Sequence, residues 1–176
     1  ASLGLFLMQP LKLQLAIGLA ALISGLYTIP LFSISGKPIR LRDIKGLKVF
    51  VISLTVAFVT VVLPYVDMQF IEAEDALVLQ FIERFLFILA ITIPFDIRDY
   101  DYDSYSGVKT LPILMGIERS KLIILSSMLA FCIIVWYHYS FTYIGDSRYF
   151  LPLCISAVLG GWASFFAEKG LSEYYY

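Results

Sequence analysis

Charged residues are scarce in this sequence: Asp, Glu, Lys and Arg make up 15% of its 176 residues, whereas hydrophobic residues make up 60%. A soluble domain carries more charge on its surface, so that class is excluded. Cysteine is also scarce, and because Cys132 and Cys154 both lie in apolar runs, we interpret them as core or lipid-facing residues without a disulfide. Segments of alternating polarity, which indicate a membrane β-barrel, are lacking as well. The sequence therefore predicts an all-α, polytopic transmembrane helix bundle.

Long apolar runs make up most of the chain, and each predicts a membrane-spanning helix. The runs are 13–28, 49–63, 76–95, 121–138 and 150–167, with a short apolar piece at 2–8 before them. Pro64 is expected to end the second run, and Gly160 with Gly161 to allow a kink or close packing. Small residues in the first run predict close helix contact, namely Gly18, Ala20, Ala21, Ser24 and Gly25. We predict one transmembrane helical domain over 1–176 with about five to six spans, cut from a longer protein whose N-terminal helices and C-terminal end are missing.

Basic residues are unevenly distributed between the connecting segments. The loop 33–48 carries a single acid, Asp43, against the bases Lys37, Arg40, Arg42, Lys45 and Lys48. The connector 67–75 has four acids and no base. Two predicted spans separate the basic loop from the segment 96–121, so both lie on one side, and the positive-inside rule places them in the cytoplasm. We therefore predict an integral, multi-pass protein of the inner (cytoplasmic) membrane.

Four carboxylates follow the third long run within eight residues: Asp96, Asp99, Asp101 and Asp103. Charge of this density beside a span requires a counter-ion or a water-filled cavity. In a helix Asp96, Asp99 and Asp103 would share one face, where they repel one another unless a cation lies between them. Mg²⁺ is the cation that suits such a site, because it takes one or two carboxylates and shares its other positions with water and substrate phosphate.

The acidic segment and the basic loop together predict a composite site at one membrane surface. Carboxylates would hold Mg²⁺ while Lys and Arg side chains neutralise phosphate oxygens. The expected ligand is a lipid-soluble molecule with a diphosphate head, whose tail lies between the helices. If an allylic carbocation forms, aromatic rings can shield it, and the candidates are Tyr27, Tyr100, Tyr102 and Tyr105.

The pattern Asp96-x-x-Asp99-x-x-x-Asp103, with Gly-Val-Lys-Thr-Leu-Pro at 107–112 and Leu-Met-Gly at 114–116, resembles the second aspartate-rich motif of the UbiA-type intramembrane prenyltransferases. Tyr-Thr-x-Pro at 27–30 and the basic loop resemble the stretch between the fourth and fifth helices of that family. The resemblance implies about nine helices around a central cavity. It also implies Mg²⁺-dependent transfer of a prenyl group from an isoprenyl diphosphate to an aromatic or polar-lipid acceptor, with membrane lipid and no nucleic acid as a partner.

The resemblance also assigns roles to residues. It implies that Asp96, Asp99 and Asp103 are metal ligands. It implies that Asp99, Asp103 and Lys109 are catalytic residues. The residues that it implies bind the diphosphate are Arg40, Arg42, Lys109 and Tyr27. The sequence departs from the family pattern in two ways. The first aspartate motif of the family is lacking, and Phe95 stands where many members have Lys or Asn. We therefore expect this chain alone to carry half a metal site and to be inactive by itself.

Other interpretations remain open. The acidic segment could be a solvated loop, or the protein could be an ion-coupled transporter or a non-catalytic relative that binds an isoprenoid lipid. A calcium loop is rejected, because Ser104 and Thr110 stand where such a loop needs Gly and Glu. His138 is interpreted as an interfacial residue. Arg84 falls near the middle of a predicted span, so we expect it to face the bundle interior and either to pair with Glu83 or a missing helix or to serve the site.

Overall fold

A computed structural model describes residues 8–29, 32–34, 37–39, 44–68, 74–142 and 150–165. The first described helix is α1 (Leu11–Thr28), and a short antiparallel hairpin of β1 (Phe32–Ile34) and β2 (Lys37–Ile39) follows it. The remaining helices are α2 (Leu47–Ala57), α3 (Leu63–Met68), α4 (Glu74–Arg98), α5 (Tyr100–Ser106), α6 (Leu111–Met115), α7 (Ile117–Tyr137) and α8 (Phe150–Phe165). The predicted all-α helical bundle is confirmed. Within these described ranges, its one strand pair is the hairpin, in which each strand has three residues.

The helix of the second span continues past Pro64, so the prediction that this residue ends the span is wrong. Helices α2 and α3 are joined by a π-helical turn, Phe58–Val62, and together they form one apolar segment, Leu47–Asp67. In a regular α-helix a proline ring meets the carbonyl group four residues earlier, here that of Thr60. Because Thr60 lies within the wider π-helical turn, the helix can continue past the proline.

The segment 96–118, for which a solvated loop was one open interpretation, is mostly helical. Helix α4 extends through Asp96 to Arg98, and α5 and α6 follow with only short connections. Gly107 ends α5 with a left-handed backbone (φ 76°), and Gly116, at φ 90°, separates α6 from α7. A side chain at either position would strain the backbone, so these two glycines divide the segment into short helices.

Helix α4 lies at the centre of the bundle and packs against α2, α7 and α8. Its buried residues Ala90, Ile93 and Ile97 join those of α7 in the apolar core. The close packing predicted at Gly160 and Gly161 is confirmed, because a Cβ atom added at either position would lie within 4 Å of the Met128 side chain.

Helix α1 lies at the edge of the bundle, with Leu13 and Ala20 as its buried residues. A Cβ atom added at Gly18 would meet no atom within 4 Å, and one at Gly25 would meet only Ile29 of the same segment. The close helix contact predicted for these glycines is therefore not formed within the described part of the chain.

Four helical segments are long and apolar enough to cross a membrane: Leu11–Thr28, Leu47–Asp67, Ala76–Arg98 and Ile117–Phe141. A shorter apolar helix, Phe150–Ala163, corresponds to the last predicted run. These segments indicate an integral, multi-pass membrane protein. The piece at 2–8 lies outside the described residues, and the full count of spans and the extent of the domain stay predictions.

Candidate functional site

A buried ion pair joins the end of α4 to the start of α2. Asp96 lies in the last turn of α4 and is 1% exposed, and its Oδ1 atom lies 2.7 Å from Nζ of Lys48. Lys48 is the second residue of α2, at the start of an otherwise apolar span. The ammonium group therefore serves as the counter-ion that a carboxylate at this depth requires.

Asp103 is the second buried carboxylate of this cluster. It lies on α5, which begins after a one-residue break at Asp99 (φ −85°, ψ 11°). Burial raises the pKa of the Asp103 carboxyl group, and the charges of Asp96 and Asp99 raise it further, while Lys48 lowers it. Asp96, Asp103 and Lys48 are thus close enough to interact electrostatically at one end of the bundle.

Asp99 differs from the other two in its surroundings. Its side chain is 40% exposed and accepts hydrogen bonds from Arg98, at 2.8 Å from Nε and 3.2 Å from Nη2. The Arg98 guanidinium also lies over the ring of Phe95, with 5.4 Å to the ring centroid. Of the three predicted metal ligands, Asp96 and Asp103 are therefore buried and Asp99 is exposed. Within the described residues, no group of three or more His, Cys, Asp or Glu side chains is placed to hold a metal ion.

The end of the basic loop lies against the segment that follows α5. The N–H group of Gly46 donates a hydrogen bond of 2.8 Å to the carbonyl oxygen of Lys109, and the Gly46 backbone is left-handed at φ 68°. Lys109 is exposed at this junction. Tyr27 of α1 lies within electrostatic range of Lys48. Lys109 and Tyr27 are therefore near the Asp96 cluster, whereas Arg40 and Arg42 lie outside the described residues.

Several buried oxygen atoms at this end of the bundle fit a hard cation. Among the described residues, Oδ2 of Asp96, Oδ2 of Asp103 and Oγ1 of Thr110 are buried without a hydrogen-bond partner. A buried oxygen left in this way is costly, and carboxylate oxygens are the ligands that Mg²⁺ prefers. Two carboxylates suffice for Mg²⁺ when substrate phosphate completes the coordination, so the residues present fit the ion.

Sequence reasoning missed two residues of this site. Lys48 was counted only as one of several bases in its loop, and Thr110 only as part of a motif. The signal for Lys48 is its position, since a lysine in the first turn of an apolar span must find an acceptor. For Thr110 the sequence holds no comparable signal, because its burial results from the packing of α6.

A second buried polar pair lies elsewhere in the bundle. Nδ1 of His138 lies 2.8 Å from Oε1 of Glu83, and His138 is 1% exposed. The interpretation of His138 as an interfacial residue is therefore wrong. A carboxylate on α4 can hold the imidazole inside the bundle, and a sequence does not show which residues of two helices meet. Arg84 was expected to face the bundle interior and to pair with Glu83 or a missing helix or to serve the site. The structure pairs Glu83 with His138, and Arg84 is exposed at the rim of a cavity of about 280 Å³.

The chain was compared with known families, with curated proteins and with solved structures. Neither of the last two comparisons gave a match. The model of the UbiA prenyltransferase family matches residues 1–171, which include the aspartate cluster, the basic loop and all of the described helices. The resemblance predicted from the sequence is thereby confirmed, and the chain belongs to the UbiA prenyltransferase family.

Proposed function

We propose that this chain carries part of the site at which a prenyl group moves from an isoprenyl diphosphate to an aromatic or polar-lipid acceptor inside the membrane. Membership of the family supports prenyl transfer in general. The observation that carries the finer proposal is the cluster of Lys48, Asp96 and Asp103 beside Lys109 at one end of an apolar bundle.

Asp96 and Asp103 are the residues that would hold Mg²⁺, through the two buried oxygen atoms that lack hydrogen bonds in the described structure. Bound Mg²⁺ supplies Lewis-acid stabilisation of the diphosphate leaving group. Asp99, which is exposed and bonded to Arg98, lies at the outer edge of the cluster. It would join the site only by releasing the guanidinium, a group that binds phosphate well.

Lysine side chains supply the positive charge for the diphosphate. Lys48 holds one oxygen of Asp96 and leaves the other available, so that carboxylate can be shared between the ammonium group and a cation. Lys109 is exposed at the same junction and is free to reach outward to a phosphate oxygen. Arg40 and Arg42 remain proposed phosphate contacts from the segment between the hairpin and α2.

A second, largely apolar cavity offers a place for the prenyl tail. It measures about 230 Å³, lies between α1 and α2, and is lined by Tyr27, Val51, Ile52, Thr55 and Val56 among others. Tyr27 lines this cavity and is also within electrostatic range of Lys48, so the cavity adjoins the charged cluster. We propose that the Tyr27 ring would face the first isoprene unit and shield a developing allylic cation. By the positive-inside rule we propose that this end faces the cytoplasm.

The test is a turnover assay with the full-length protein in detergent or nanodiscs, using labelled prenyl diphosphates, a panel of aromatic and polar-lipid acceptors, and Mg²⁺ or EDTA. Asp96→Asn and Asp103→Asn should each lower turnover by at least about 100-fold, as loss of a charge-stabilising group does in other active sites. Asp101→Asn, at an exposed position of the same segment, is the matched control.

Three results would contradict the proposal. Wild-type turnover in both buried-aspartate variants would exclude their role. Saturable binding of the prenyl diphosphate with no turnover on any acceptor would favour a non-catalytic lipid-binding relative. Metal-dependent ion flux through reconstituted vesicles, without any prenyl diphosphate, would favour a transporter.

A further inference from the structure

The two cysteines of the sequence lie on neighbouring helices and meet side by side. Cys132 is in the last two turns of α7, and Cys154 is in the first two turns of α8. Both are free thiols, and their side chains are within hydrogen-bonding distance of each other. Because α7 begins beside the aspartate end of the bundle, this thiol pair lies at the opposite end, away from the site described above.

The packing of α7 against α8 brings the same two positions together. Cβ atoms added at Gly160 and Gly161 of α8 would lie against the Met128 side chain of α7. Cys132 lies one turn after Met128, and Cys154 lies two turns before Gly161. The two helices are therefore antiparallel, and both cysteines are on the faces at which they meet.

The separation of the two helices suits a covalent link between them. A Cβ atom added at Gly161 would lie 3.9 Å from the Cβ atom of Met128. In disulfides the two Cβ atoms are about 3.5–4.5 Å apart. Next to the thiol pair, α7 and α8 thus already have a spacing at which a sulfur–sulfur bond forms without a large movement of the backbone.

The thiol pair is half-buried beside lipid-facing residues. Ile133 and Ile155, which directly follow the two cysteines, are 56% and 49% exposed. Exposed apolar side chains on the helices of a membrane protein contact lipid. A reagent that reaches Cys132 and Cys154 from this side passes through hydrocarbon, so it has to be small, uncharged and soluble in lipid.

We propose that Cys132 and Cys154 form a modification site, which a lipid-soluble hydroperoxide converts to a disulfide that joins α7 to α8. In the first step the sulfur of one thiol attacks the peroxide, whose O–O bond breaks, and a sulfenic acid and an alcohol form. The second thiol then attacks the sulfenic sulfur, so that the S–S bond forms, the S–O bond breaks and water leaves. Two electrons pass from the sulfur atoms to the peroxide oxygens, and the two thiol hydrogens leave in the alcohol and the water.

The cross-link would act on the cavity of about 280 Å³ that Arg84 borders. Phe131 and Leu153, which directly precede the two cysteines, both line this cavity. A disulfide limits the movement of α7 relative to α8 and thereby holds this wall of the cavity in place. The reduced form lacks that restraint, so the thiol pair is a redox-sensitive device. It requires nothing of the aspartate cluster and stands whether or not that cluster performs prenyl transfer.

The test treats the full-length protein in nanodiscs with cumene hydroperoxide, blocks the remaining thiols by alkylation and maps the peptides by mass spectrometry. Glutathione disulfide, a charged oxidant, is the control reagent. The matched control variant combines Cys154→Ser with Ile155→Cys. It keeps a thiol on α8 one residue along the chain but turns it by about 100° around the helix, away from Cys132.

In the wild type we expect a peptide in which Cys132 and Cys154 are linked, with a mass lower by two hydrogen atoms. The unfolding temperature should rise by roughly 5–10 °C, and dithiothreitol should reverse both changes. The control variant should form no link and show no shift, and glutathione disulfide should leave the wild type reduced.

Three outcomes would overturn the proposal. The first is a wild type whose thiols stay reduced, or become sulfinic acids without a link. The second is a control variant that links to Cys132 as readily as the wild type links its own pair. The third is oxidation by glutathione disulfide at the rate seen with cumene hydroperoxide.

Asp96→Asn separates this inference from the proposed function. This variant should lose prenyl transfer and form the disulfide as the wild type does. If Asp96→Asn lost both, the thiol pair would depend on the aspartate end, and the proposal of a separate site would be refuted.

Discussion

The ammonium nitrogen of Lys48 lies 2.7 Å from Oδ1 of Asp96, and the two residues are 48 positions apart in the sequence. This ion pair fixes the start of α2 to the end of α4. It also leaves the other oxygen of Asp96 buried and without a hydrogen bond from the described residues. One side chain therefore has both a structural partner and an oxygen atom suited to a metal ion, and the two roles can be tested separately.

Lys48→Met should destabilise the protein, because the buried Asp96 carboxylate loses its counter-ion. Removing one partner of a fully buried pair costs about 3–5 kcal/mol, and since Lys48 is itself a third exposed, we expect about 1–3 kcal/mol. The measurement is thermal unfolding in detergent, compared with Lys45→Met at an exposed position.

The double variant Lys48→Met with Asp96→Asn shows whether the pair itself is responsible. Once the carboxylate is neutral it needs no counter-ion, so the double variant should recover part of the lost stability. A double variant that loses the sum of both single effects would mean that the two side chains do not interact in solution.

Asp103→Asn should raise the thermal stability of the metal-free protein at neutral pH. The pKa of Asp103 is raised in the folded state by burial and by neighbouring carboxylates, so its ionisation disfavours folding. The sign of the pH dependence follows from linkage. Between the pKa of Asp103 in the unfolded state and its raised pKa in the folded state, the folded state binds more protons. The contribution of Asp103 to stability therefore falls as pH rises through the folded pKa. Unfolding scans between pH 4 and about pH 8 would measure the effect.

The same raised pKa affects metal binding. Mg²⁺ must displace the proton of Asp103, so Mg²⁺-induced stabilisation should weaken on acidification at a higher pH than an ordinary aspartate would require. Asp103→Asn should remove this stabilisation, and Asp101→Asn should keep it. Equal Mg²⁺ responses of the two variants would exclude Asp103 as a ligand.

Gly46→Ala should destabilise the junction between α2 and the segment after α5. Gly46 has φ 68°, and an added Cβ atom would lie 3.0 Å from Cδ1 of Leu114. Strain of this kind costs about 1–3 kcal/mol. Because the Gly46 N–H group bonds to the Lys109 carbonyl, turnover should fall as well.

Gly18→Ala is the matched control, since its Cβ atom would meet nothing within 4 Å and it lies in the helix α1. Alanine is favoured over glycine in a helix by about 1 kcal/mol, so this variant should be as stable as the wild type or more so. The measurements are the unfolding temperatures and the turnover of both variants, compared with those of the wild type. A Gly46→Ala protein with wild-type values would show that the junction is not rigid.

The helical class and the acidic segment could be predicted from the sequence because both depend on local composition. Long apolar runs can only be helices in a membrane, and four acids beside one of them demand a counter-ion. The pairs Lys48–Asp96 and Glu83–His138 could not be predicted, since each joins two helices whose relative rotation is set by packing. Pro64 was misjudged for a local reason, because a π-helical turn removes the clash that ordinarily ends a helix.

His138→Phe should destabilise the bundle at the end of α7. The imidazole is 1% exposed and is bonded to a Glu83 side chain that is 10% exposed, so the variant leaves a buried carboxylate without its partner. The expected loss is about 1–3 kcal/mol, the cost of a buried polar group that loses its hydrogen-bond partner, and is read from thermal unfolding. Tyr137→Phe, an exposed neighbour, should unfold as the wild type does. Adding Glu83→Gln to His138→Phe should restore part of the stability, because a neutral amide is less costly than a carboxylate to leave buried without its hydrogen-bond partner. If His138→Phe and Tyr137→Phe unfold at the same temperature, the Glu83–His138 pair does not hold α4 to the end of α7.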